Sequence, residues 1–164
     1  MTGYPRWFVP ALVGALVLMF ITGLLLAPTT LTMRLDLALP WRLPGSARLL
    51  TAALHAAGGF ALLLLVGALW SVHMRSGWRR QQQRASGLVL ALMLLGLTVS
   101  ALGVYYAGEE SLGVAAALLH LGLGVALAAP FGWHWVHGRR AMRTRRTRVQ
   151  TPVVTRTVMR EPQG

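Results

Sequence analysis

The chain has no cysteine, no lysine and only four acidic residues in 164 positions, and each shortage closes off a kind of chemistry. Without cysteine there are no disulfides, thiolate metal sites or iron–sulfur clusters, and no covalent haem attachment through a CxxCH motif, so any cofactor must be held by other ligands. Asp36, Glu109, Glu110 and Glu161 all lie outside the interiors of the apolar stretches, which leaves no hydrolytic constellation within them. Charged residues make up 12% of the chain against 55% hydrophobic ones, and the apolar residues come in long blocks rather than alternating or one-sided patterns. That is a membrane composition.

A spanning helix needs about 20 mostly apolar residues, and four blocks meet that length. They cover residues 7–27, 49–72, 87–107 and 111–135. The sixteen basic residues are all Arg and gather where these helices end, chiefly at 75–84 and 139–160, so the net charge of +12 points to a membrane surface and no nucleic acid is expected. Thirteen of them lie in the N-terminal lead, the middle loop and the tail, against three (Arg34, Arg42, Arg48) in the first loop and none in the last turn. The positive-inside rule places both termini and the middle loop in the cytoplasm, as a multi-pass protein of the cell inner membrane. The expected fold is an all-α membrane protein, a four-transmembrane-helix bundle over 1–138, followed by a basic cytoplasmic tail, 139–164, read as disordered on anionic lipid.

Local signals refine the spans. The first stretch is longer than a secretory h-region and lacks a small-x-small cleavage site, so it reads as a retained helix, ending near Leu26-Ala27-Pro28. Ser46, after Pro44-Gly45, is a candidate N-cap for the second helix. Only Gly108, Glu109 and Glu110 separate the third helix from the fourth, which makes them antiparallel neighbours, and the two acids suit a helix N-terminus. The pattern LHxxxGxAL occurs twice, from Leu54-His55 through Gly59 to Ala61-Leu62 and from Leu119-His120 through Gly124 to Ala126-Leu127. Two related hairpins would run the second and fourth helices parallel, with His55 and His120 facing each other at similar depth.

An imidazole inside a bilayer is costly and invites a functional reading. His55 and His120 each have a glycine four residues on, Gly59 and Gly124, where a missing side chain lets a flat macrocycle or another helix approach on the same face. One His from each of two facing helices is the arrangement that bis-imidazole haem requires. His73 lies eighteen residues beyond His55, on the same face and about 27 Å deeper. Its partner on the fourth helix is either His134, rotated by about 40° from His120, or His137, rotated by about 100° but closer in depth. The competing reading makes the histidines interhelical glue and the tryptophans interfacial anchors.

At Thr22-Gly23-Leu24-Leu25, Leu54-His55, Gly59 and His73 the sequence resembles the small prokaryotic membrane cytochromes b. These are the cytochrome b561 and formate dehydrogenase gamma-subunit type and the four-helix family of domain of unknown function 4405. Such proteins usually carry a His near the start of the first helix, where this chain has Trp7-Phe8-Val9. The resemblance covers about 7–138 and implies one or two haem b groups, with His55 and His120 as axial ligands of one iron and His73 with His134 or His137 of the other. It also implies electron transfer between a quinone pool and a redox partner protein or subunit, as part of an oxidoreductase rather than a stand-alone enzyme. The alternative is a cofactor-free membrane scaffold or assembly subunit.

Overall fold

Long apolar runs leave a backbone in lipid with no hydrogen-bond partners but its own, and in a computed structural model of the chain the described part of every run is helical, with one break in the fourth. The structure describes residues 4–70, 74–75 and 83–150, the stretch 142–150 by its backbone. Helix α1 is Phe8–Leu35, α2 Gly45–Leu69, α3 Arg84–Tyr106, α4 Glu110–Ala126 and α5 Ala128–Gln150. Four segments are long and apolar enough to cross a membrane: α1, α2, α3, and Glu110–Ala141, which takes in α4 and the first part of α5. Among the described residues there is no strand, and the fold is an all-α four-helix bundle.

Several boundaries differ from the sequence expectation. Helix α1 does not stop at Pro28 but continues to Leu35, and Asp36 closes it in the left-handed conformation, φ 50°. An amide released into lipid would cost more than the local clash of an internal proline, and the Thr30 and Thr32 hydroxyls donate to the carbonyls of Leu26 and Pro28 across that turn. Ser46 is not the cap of α2. The helix begins at Gly45 behind Pro44, whose ring presets the entry and whose carbonyl accepts the Arg48 amide at 2.8 Å. Helix α5 carries on past 139 to Gln150, because Arg, Ala and Met are good helix formers and no proline intervenes before Pro152; the rest of the tail lies outside the described residues.

The fourth span is interrupted at Leu127. Pro130 is the cause, since it lacks the N–H that would reach the Ala126 carbonyl and its ring crowds that same oxygen. The Phe131 amide then bonds to Leu127 and restarts the helix as α5.

Packing pairs α1 with α2 and α3 with α4, as two hairpins. These meet through α1 and α4, while α5 returns along α3; among the described residues α2 packs extensively only on α1. Apart from Phe8 and Leu62, the buried residues are small or polar, Thr22, Thr29, Ser100, Gly58, Gly113 and Ala117, whereas Phe60 and Leu64 are 72% and 77% exposed. Close approach of small residues is how helices associate where the surroundings are as apolar as leucine. The tightest such place is Gly103, where a Cβ would lie 2.7 Å from the Cβ of Ala116.

Candidate functional site

His55 and His120 each lie ten residues past the first residue of their helix, α2 and α4. This equal register brings the rings together between the hairpins, with centroids 6.1 Å apart and planes crossed at 79°. Apart from this contact, α2 and α4 are not closely packed.

Each ring is held from the other helix of its own hairpin. The Thr22 hydroxyl on α1 donates to the Leu18 carbonyl at 2.7 Å, so at 2.8 Å from His55 it accepts the Nδ1 proton. On α3 the Leu97 carbonyl and Ser100 hydroxyl both lie 3.1 Å from Nδ1 of His120. A carbonyl can only accept, so Nδ1 of His120 carries the hydrogen. Both imidazoles are thereby fixed with Nδ1 protonated and the lone pair on Nε2, the state of a neutral His ready to bind a metal.

The same construction recurs nearer the termini. Ser86 on α3 donates to the Gln83 carbonyl and lies 2.9 Å from Nδ1 of His134 on α5. Ser86 precedes Ser100 by fourteen residues on α3 and His134 follows His120 by fourteen, so the antiparallel seam keeps its register across the break at Leu127. His137 behaves differently: its Nδ1 bonds to the Trp133 carbonyl of its own helix at 3.0 Å, and its ring stacks on Trp133 with centroids 4.0 Å apart. Of the two alternatives on the fourth span, His134 is the one that bonds to α3. His73 lies outside the described residues.

The glycines divide by role. A Cβ on Gly59 would meet the Met19 methyl at 3.5 Å and one on Gly124 would meet Leu97 at 4.0 Å, ordinary contacts within each hairpin. The glycines closest to the histidines are others. A Cβ on Gly23 would lie 3.2 Å from Cε1 of His55, and one on Gly87 4.0 Å from Cε1 of His134. Thr22-Gly23 and Ser86-Gly87 are thus two copies of one seat, a hydroxyl for Nδ1 beside a missing side chain under the ring edge. The hydroxyl-glycine dipeptides were visible in the sequence, but their seating role was not; Ser100 carries no such signal.

No family model, curated protein or solved structure matches this chain.

Proposed function

We propose that the His55–His120 pair provides the two axial ligands of a b-type haem and that the protein carries electrons within the membrane, the function its sequence resemblance implies. The observation that carries this reading is the paired geometry. A bond from a metal to an imidazole nitrogen is about 2 Å and the ring centre lies about 1 Å behind that nitrogen, so two imidazoles on one ion have centroids about 6 Å apart. The rings of His55 and His120 are 6.1 Å apart, with the Nδ1 atoms tied back and Nε2 carrying the lone pair. Crossed ring planes are compatible with a shared axis.

The donor set also favours haem over a bare ion. Among the described residues no three His, Cys, Asp or Glu side chains cluster, whereas a bare zinc-like ion needs three or four protein ligands. A porphyrin brings four nitrogens of its own, and two imidazoles complete the coordination. When bound, the haem iron supplies a one-electron couple. The chain's own part is to fix the two imidazoles: Thr22, Ser100 and the Leu97 carbonyl set tautomer and orientation, Gly23 makes room for the His55 ring, and the apolar helices exclude water.

His134, seated on Ser86, is the described residue best placed to serve a second, inner haem with His73, with a quinone exchanging electrons near that end and a partner subunit taking them on. The Arg-rich loop and tail favour cytoplasmic termini by the positive-inside rule, and the reading takes the membrane to be the cell inner membrane. The scaffold reading is favoured by one observation, that each His already bonds to the neighbouring helix of its hairpin, which is what interhelical glue does. Glue does not use Nε2. A pyridine haemochrome assay on protein purified from haem-replete cells separates the two. One or two haems b per chain, one of them lost in His55→Ala and in His120→Ala, supports the cytochrome; colourless wild-type protein leaves the scaffold.

A further inference from the structure

At the end of the bundle that carries the α1–α2 and α3–α4 connections, α1, α3 and α4 line a half-open cavity of about 350 Å³, walled by Thr29, Thr30, Met33, Arg34, Val104 and Ala117. Thr29 breaks the pattern set by its neighbours. Thr22, Thr30, Thr32, Thr51 and Thr98 all donate their hydroxyls to the carbonyl four residues earlier. Thr29 is 8% exposed, and its Oγ1 is buried without a hydrogen-bond partner. An unsatisfied buried hydroxyl costs about 1–3 kcal/mol, and Thr29 is one of the residues that line the cavity.

The second polar group in the wall is a cation. The Arg34 guanidinium lies along α4, with Nη1 3.1 Å from where a Cβ of Gly113 would stand, so the glycine makes its position possible. Among the described residues Arg34 forms no ion pair with a carboxylate. The acid one turn away, Glu109, is turned back onto its own helix, where it accepts the amides of Ser111 and Leu112 at 2.9 Å.

From these observations we infer that the cavity binds the anionic oxygen headgroup of an amphiphile, the guanidinium of Arg34 and the hydroxyl of Thr29 donating to it while Met33, Val104 and Ala117 cover its apolar body. Charge-assisted bonds from Arg to carboxylate or phosphate are the strong ones, and stronger still in an apolar wall. Two sources share that chemistry. One is the phosphate of an anionic phospholipid, which stands independently of the cytochrome reading. The other is a porphyrin propionate, which rests on it: Ala117 and Gly113 precede His120 by three and seven residues, so the cavity lies on the His120 face of α4, one to two turns away.

The test uses the full-length protein in detergent, with Arg34→Gln and Thr29→Val beside the wild type and helix content checked by circular dichroism. In the first arm native mass spectrometry compares phosphatidylglycerol with phosphatidylcholine. In the second, binding of haem b is compared with binding of its dimethyl ester. A preference of about ten-fold or more for the anionic member of either pair, falling toward unity in Arg34→Gln and partly in Thr29→Val, supports the site and names its source. Wild-type protein with no preference in either arm, or a preference that Arg34→Gln leaves intact, overturns it. Protein that takes up no haem fails the cytochrome reading alone, and the lipid arm still decides the anion site.

Discussion

In the first hairpin His55 is held by one hydroxyl, Thr22, while in the second His120 is held by both Ser100 and the Leu97 carbonyl. The helices are seated differently as well. In the first, the glycine of closest approach, Gly58, faces the sulfur of Met19 at 2.9 Å; in the second, Gly103 faces the rigid Cβ of Ala116 at 2.7 Å. The connections follow suit, a nine-residue loop after α1 against a tight turn capped by Glu109. The second hairpin is thus the stiffer half, with its His fixed by an acceptor no side-chain substitution can remove, and the first is the adaptable half.

The largest expected effect treats the halves alike: on the proposed shared axis, His55→Ala or His120→Ala alone removes the low-spin reduced-minus-oxidised signature of that haem. The next separates them. Removing an outer-shell partner of a metal-bound His costs roughly 10- to 100-fold in affinity, so on the proposed ligation Thr22→Val is expected to weaken haem binding by about that factor. Ser100→Ala weakens it less, since Nδ1 of His120 keeps the Leu97 carbonyl; equal losses in a haem titration would remove this asymmetry.

Helix seating gives the third contrast. Gly103→Ala forces α3 and α4 apart and costs about 1–3 kcal/mol, whereas Gly58→Ala costs less because a methionine side chain can turn away. Denaturant midpoints in mixed micelles measure both, and a larger loss at Gly58 would reverse the ranking of the hairpins.

The smallest effect concerns the turn of the second hairpin. The Ser111 hydroxyl and the amides of Ser111 and Leu112 hold the Glu109 carboxyl below the usual glutamate range. A lowered pKa in the folded state means that this cap stabilises above the unfolded value, about 4.3, and is lost as the pH falls through the lowered folded value. Glu109→Gln should therefore lower stability slightly at neutral pH, flatten the acid limb of the profile and leave its most acidic end nearly unchanged. An unaltered acid limb would show that the cap contributes nothing there.

Much of this was legible in the sequence. Apolar length alone gave the four spans, and the repeated LHxxxGxAL pattern anticipated that His55 and His120 would meet. What escaped is local. Helix α1 runs through Pro28 because lipid penalises an open backbone more than proline does, a balance that composition does not display. Ser46 resembled a cap that Pro44 made unnecessary. Ser86 and Ser100 gave little warning, since a hydroxyl in an apolar helix usually bonds to its own backbone, and these two do so while also receiving an imidazole. The repeat pointed to Gly59 and Gly124, but Gly23 and Gly87 stand nearest the rings because they follow the hydroxyls on the neighbouring helix.

The most direct test of the His55–His120 axis is low-temperature electron paramagnetic resonance of the oxidised, purified protein. A low-spin ferric signal from two imidazole ligands is expected in the wild type, lost or converted to high spin in both His55→Ala and His120→Ala. Wild-type protein that carries no haem iron, or whose low-spin signal is unchanged by either substitution, would contradict it.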